Sequence, residues 1–304
     1  MIRHTSFLCS ALIAAVTLSQ VQADEYFWQG GIGTFTDSNY FNGTTSVANL
    51  PPGTATTDFI HIGMAGTVTL SGGNGAGVVV VGAGNNATPT GTLNVRTGGW
   101  LRVLDGILSI ADRAGNTGNG VKGVVAISDA DSKITIEGPG TDLVVGARAR
   151  AGTFTQTDGT VEIVDAIEVA NANSSSTGST LSISGGSITT GLGGTGNFFV
   201  GRGSSVGATV DISGTAVVNV GNRYLMGGSD TPMAPTLPSA IATGSVTNHS
   251  GGTLNTDLDL RIADTYITST REATYNLSGT SILNTNVSAG TTGSTVIGRQ
   301  GIGK

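Results

Sequence analysis

A chain of 304 residues with 38% hydrophobic side chains can bury a substantial core in one or two domains. Charged residues make up only 11% of it, the formal net charge is -6 and the isoelectric point is near 4.9. Nucleic acid and anionic membrane surfaces are excluded as partners, because both need a basic footprint and Lys122, Lys133 and Lys304 are the whole lysine complement.

The start of the chain separates from the rest. Arg3 and His4 precede an apolar run from Phe7 to Leu18, and the small residues of Val21-Gln22-Ala23 stand before Asp24. Residues 1–23 read as a secretory signal peptide, which predicts export and a mature N-terminus at Asp24. The apolar run is shorter than the roughly 20 residues of a membrane span, and no later stretch reaches that length, so no transmembrane segment is expected after cleavage. Cys9 is the only cysteine; once it is removed, neither a disulfide nor a thiolate site is available. Residues 24–58 hold Trp28, Phe35, Tyr40 and Phe41 among glycines, and read as a cap over the open end of the repeats that begin at residue 59 or, alternatively, as a sugar platform.

From residue 59 to 304 the chain repeats. Glycine contributes 49 residues, and short alternating runs of Val, Ile and Thr lie between Gly, Asn, Asp and Ser. That pattern is the strand signature, and a disordered chain would be poor in β-branched residues. An alternating strand ending in a hydroxyl and then glycine recurs: Val68-Thr-Leu-Ser71, Leu93-Asn-Val-Arg-Thr97, Phe154-Thr-Gln-Thr157, Leu181-Ser-Ile-Ser184, Val210-Asp-Ile-Ser213, Val246-Thr-Asn-His-Ser250 and Tyr275-Asn-Leu-Ser278. Ala126-Ile-Ser128-Asp129 fits less well between the second and third. The steps between hydroxyls are 26, 31, 29, 27, 29, 37 and 28 residues. Each corner leads into a second short strand, such as Ser187–Thr190, and then a third that ends in a small residue, such as Leu143-Val-Val-Gly146.

A three-strand unit of this length cannot bury its own apolar side chains, but units stacked in register bury them in one column. The expected fold is therefore all-β: a right-handed parallel β-helix of about eight three-strand coils, each of roughly 27 residues, giving a rod roughly 38 Å long at a strand spacing of about 4.8 Å. The 37-residue step places a Pro-rich loop insertion at 229–244, with Pro232, Pro235 and Pro238. Glycine after each hydroxyl would supply a positive φ at the corner, and the hydroxyl would bond a local backbone amide.

Leu181-Ser-Ile-Ser-Gly-Gly-Ser-Ile-Thr followed by Phe198-Phe-Val-Gly-Arg202 resembles the repeats of bacterial autotransporter-like surface proteins, including those with a PEP-CTERM sorting tail. Trp28-Gln-Gly-Gly-Ile-Gly-Thr-Phe35 with Asn39-Tyr40-Phe41 is similar to the aromatic-glycine start of such proteins. The resemblance implies a pectin-lyase-like β-solenoid at the cell surface. Val296-Ile-Gly-Arg299 is followed only by Gln300 to Lys304, with neither an apolar tail nor Pro-Glu-Pro, so a truncated chain and self-association through an open C-terminal coil are both expected.

No set of residues assembles into catalytic, cofactor or metal chemistry in the sequence. Lyases and hydrolases of this fold need clustered carboxylates. Asp129, Asp131 and Asp158 neighbour one another on corners, but Gly185 and Gly214 replace them in the next ones. Asp105 with Asp112, and Asp257 with Asp259 and Asp264, follow strands or loops. His61 and His249 fall in distant coils. No phosphate loop is expected, because none of the Gly-x-Gly stretches opens a helix. Arg113, Arg148, Arg202 and Arg299 follow third strands; they read as solubilising charge or, alternatively, Arg148, Arg202 and Arg299 contact a glycan along a broken basic ridge. The expectation is a non-enzymatic, secreted or cell-surface structural or adhesive protein whose partner is extracellular polysaccharide or cell envelope; the alternative is a lyase-like carbohydrate-active β-helix.

Overall fold

The computed structural model describes residues 25–28, 32–34, 40–42, 45–47, 59–63, 67–71, 73–76, 78–83, 90–104, 106–111, 122–138, 140–147, 151–171, 178–192, 196–201, 207–227, 243–263, 272–287, 294–297 and 302–303. The signal segment and most of the Pro-rich segment therefore lie outside the described residues; strand Thr243–His249 begins within the span expected to be loop.

Each repeat supplies one strand to each of three parallel sheets, here named the first, second and third face in chain order. Thr180–Ile183, Ser187–Thr190 and Phe198–Val200 are one such set. The faces hold 10, 8 and 12 strands, and successive repeats lie side by side in each. At the N-terminal edge, strands Tyr40–Asn42 and Thr45–Val47 add to the third face in antiparallel sense, beside Glu25–Trp28. The fold is thus an all-β parallel solenoid with no helix among the described residues.

The solenoid has about five turns, fewer than the eight coils expected. A hydroxyl corner marks one rung of one ladder, whereas a closed turn needs all three faces buried between neighbours. The strands of 272–297 still pair in register, yet Leu277 and Ile297, which extend the core columns, are 53% and 58% exposed.

Alternation accounts for the packing. On the first and second faces every second residue turns inward, as in Thr180–Ile183 and Val217–Val220. Identical registers stack these residues into columns: Leu93, Val125, Phe154, Leu181 and Val210 on the first face, and Leu101, Ile134, Val161, Ile188, Val218 and Leu254 on the second. The third face is buried on both sides along Leu108–Ile110, Phe198–Val200 and Tyr224–Met226, which is why its strands read as continuous apolar runs.

Backbone groups pair from turn to turn at the corners as well. The amides of Thr157, Ser184 and Ser213 donate to the carbonyls of Ile127, Gln156 and Ile183 in the turn before. The Ser184 hydroxyl donates to the Gln156 carbonyl at 3.4 Å, so it reaches the preceding turn and not a local amide as expected. Gly186 has the positive φ foreseen for a corner, 70°. The small residues ending third strands have the same cause: Ala111, Ala170 and Ala263 carry φ of 64°, 58° and 51°.

Polar residues interrupt the core. Gln156, Thr247 and His249 are fully buried and turn inward. Gln156 donates to the Gly159 and Ser187 carbonyls at 2.9 and 3.1 Å, closing the corner from inside. Toward the C-terminal side, Phe198 stacks on Tyr224 with ring centroids 4.7 Å apart, the Tyr224 and Thr247 hydroxyls bond at 2.9 Å, and the Tyr275 hydroxyl lies 2.9 Å from His249 Nδ1.

Candidate functional site

The glycan-contact candidates Arg148, Arg202 and Arg299, together with Arg113, lie outside the described residues, as do Asp105, Asp112 and Asp264. The acidic corner is described and is used structurally. Asp129 takes the positive φ of its corner, 74°, and its carboxylate accepts the Thr97 amide of the previous turn at 2.7 Å. Asp158 accepts the Gly159 amide at 2.8 Å. Beside Asp129 an open groove of about 730 Å³ is lined by Ile32, Thr69, Ser71, Arg96, Thr97 and Ser128, with a single carboxylate in it.

His249, instead of facing solvent near a ligand, fills the core. Its Nε2 lies 3.3 Å from the Gly252 carbonyl and its Nδ1 meets the Tyr275 hydroxyl, so the neutral ring is fully satisfied with Nε2 donating and Nδ1 accepting. Burial lowers its pKa below the usual histidine range.

Asp259 is heavily engaged. It accepts Arg223 Nε and Arg261 Nε at 3.0 Å each and the Ser294 amide at 2.7 Å, joining three successive turns. Burial pushes its pKa up, but the hydrogen bonds from Ser294, Arg261 and Arg223 outweigh that and hold it below the ordinary carboxylate range.

The outer surface of the second face carries a cluster that sequence reasoning missed. Register places Trp100 opposite Lys133 and Arg102 opposite Thr135, all pointing away from the column filled by Leu101, Val103, Ile134 and Ile136. Trp100 Nε1 donates to Thr135 Oγ1 at 3.0 Å, and the Arg102 guanidinium carbon lies 5.3 Å from the indole centroid. Arg102 in turn grips Glu137 with two hydrogen bonds, 3.0 and 2.8 Å. That pairing raises the pKa of Arg102 and lowers that of Glu137. Lys133 pairs with Glu162 of the next turn at 2.8 Å. The signal was present in the sequence as Trp100-Leu-Arg-Val103, a second strand with two large polar-tipped side chains at its outward positions.

The same face continues as an amide ladder. Asn284 donates to Asn255, and Asn255 to Asn219, at 2.8 Å per step; Asn219 reaches Thr189 at 3.4 Å. A parallel ladder on the first face runs from Asn276 through Asn248 to Asp211, again at 2.8 and 2.9 Å.

Among the described residues no three His, Cys, Asp or Glu side chains are grouped to hold a metal, and no helix is long and apolar enough to cross a membrane. Comparison with known protein families, curated proteins and solved structures yields no match.

Proposed function

We propose that this chain is an exported, non-enzymatic surface or matrix protein in which a stiff β-solenoid provides spacing and adhesive contact. One observation carries the reading: the outward polar side chains are spent on fastening one turn to the next. Glu137, Glu162, Asp211, Asp259 and Asp129 each bond or pair with a residue 29 to 37 positions away. A catalytic carboxylate must be free to exchange a proton with substrate, whereas these already accept hydrogen bonds or ion pairs from donors in adjacent turns. The coil is right-handed, the sense taken by nearly all parallel crossover connections. Export through the 1–23 signal supports a cell-surface or extracellular setting, in keeping with the resemblance to autotransporter-like surface proteins.

The test joins location with activity. Whole-cell labelling and mass spectrometry of the processed protein should place it outside the cytoplasm with Asp24 first. Incubation with acidic and neutral polysaccharides should release neither reducing ends nor unsaturated products. Turnover that depends on Asp129 or Arg96 would replace this reading with the lyase-like one.

A further inference from the structure

We propose that the Trp100 cluster on the second face is a docking site for a neutral polysaccharide, lying flat along the solenoid; this deepens the adhesive reading and rests on it. The indole is 40% exposed, although aromatic residues make up only 5% of the chain and most apolar bulk is buried. It is not loose. The Nε1–H bond to Thr135 fixes one edge and the Arg102 guanidinium lies against the ring, so little side-chain freedom is lost when a ligand arrives.

The surroundings leave that ring accessible. In the preceding strand, Gly73 pairs with Trp100 and Gly75 with Arg102, so neither of these two positions places a side chain beside the indole. A pyranose presents a face of C–H bonds that suits an aromatic plane, with hydroxyls at its rim. The rim here meets both kinds of partner. Arg102 keeps N–H groups beyond those bound to Glu137, and the carboxylate oxygens of Glu137 and Glu162 keep lone pairs.

Charge decides which glycan class fits. Two cations and two carboxylates are already paired on this patch, so it has no net charge to offer a uronic acid or sulfate. A neutral polyol, which needs donors and acceptors in equal measure, is the complementary ligand. Farther along the face, each Asn of the ladder spends one N–H on its neighbour and retains a second donor, which extends the hydrogen-bonding strip in the stacking direction.

The experiment uses the full mature chain and particles of cellulose, curdlan and chitin as neutral probes, with alginate beads as the acidic one. Depletion isotherms should show binding to at least one neutral polymer that changes little with salt. Trp100→Ala should weaken it roughly tenfold or more, Trp100→Tyr should retain most of it, and Thr135→Val, which frees the indole edge, should fall between. In a Trp28→Phe background, emission from Trp100 should shift on adding a soluble oligomer of the bound polymer. Far-ultraviolet circular dichroism confirms that each variant folds, and the Thr135→Val and emission results stand if Trp100→Ala does not. The proposal is overturned if no neutral polymer binds, if binding survives Trp100→Ala unchanged, or if only alginate binds and salt removes it. Undiminished binding by Trp100→Ala would leave the adhesive reading intact and remove this site. Release of reducing ends would do the reverse.

Discussion

Replacing Gly186 by alanine separates the two demands that a solenoid corner makes on its residue. At Gly186 φ is 70°, and a Cβ built there would lie 2.2 Å from the Gly159 carbonyl oxygen and 2.8 Å from Gln156 Nε2. That oxygen accepts both the Ser187 amide and the Gln156 side chain, so moving it weakens one bond between turns and one that closes the corner. The left-handed backbone alone costs alanine about 1 kcal/mol, and forcing an atom into closed packing adds about 1–3 kcal/mol, for a total of roughly 3 kcal/mol. Two neighbours isolate the contributions. Gly178 has φ of 82° with nothing within 4 Å, so Gly178→Ala should cost only about 1 kcal/mol. Gly185 has no positive φ, but a Cβ there would lie 2.3 Å from the Thr157 carbonyl oxygen, so Gly185→Ala should show the packing cost alone. Thermal and urea unfolding of the three variants should rank Gly178 mildest and Gly186 worst, with about 2–4 °C lost per kcal/mol. Equal losses for Gly178→Ala and Gly186→Ala would refute the close stacking of corners on which the solenoid depends.

Three other outcomes are expected. His249 has a folded pKa depressed by burial, so below its usual value near 6.5 the unfolded chain binds more protons than the folded one. Stability should therefore be full above about pH 6.5 and fall with pH until the folded pKa is reached, and urea titrations of His249→Gln should lack that slope. Asp259→Asn should cost about 2 kcal/mol, less than the full penalty of breaking a buried pair because Arg223 reaches solvent, and should remove a stability loss that begins only below about pH 4, the unfolded carboxylate range. Leu277 and Ile297 prolong the core columns while more than half exposed, so the mature chain should associate with rising concentration in light scattering. Leu277→Lys combined with Ile297→Lys should keep it monomeric, and association undiminished in that variant would locate the contact elsewhere.

Much of the architecture was legible because the repeat states it twice, once in the hydroxyl-glycine corner and once in the three-strand rhythm. The weakest repeat, at Ser128, is explained by Asp129, which tolerates the left-handed backbone that glycine takes elsewhere. The polar inlay was misread for a countable reason. Val246 looked like the equivalent of Leu181 and Val210, but it stands four positions before its serine where they stand three before theirs. Register pairs Thr247 with Val210 and His249 with Ile212, so it is the threonine and the histidine that turn inward. Counting back from Ser250 would have found them. Gln156 could not be found that way, since its burial depends on the carbonyls of Gly159 and Ser187 closing around it.

The Trp100 cluster was hidden for the opposite reason. Stacking constrains inward residues tightly, because a column tolerates little change of volume, and leaves outward positions to vary from turn to turn. A search for repetition therefore finds the core and passes over any surface feature that occurs once. Outward ladders such as Asn219–Asn255–Asn284 repeat and so belong to the scaffold, whereas one indole next to two glycines breaks the pattern at the cost of an exposed apolar ring. In a solenoid, the outward position that departs from its own column is where a binding function has room to reside, and Trp100 is such a departure on the described surface.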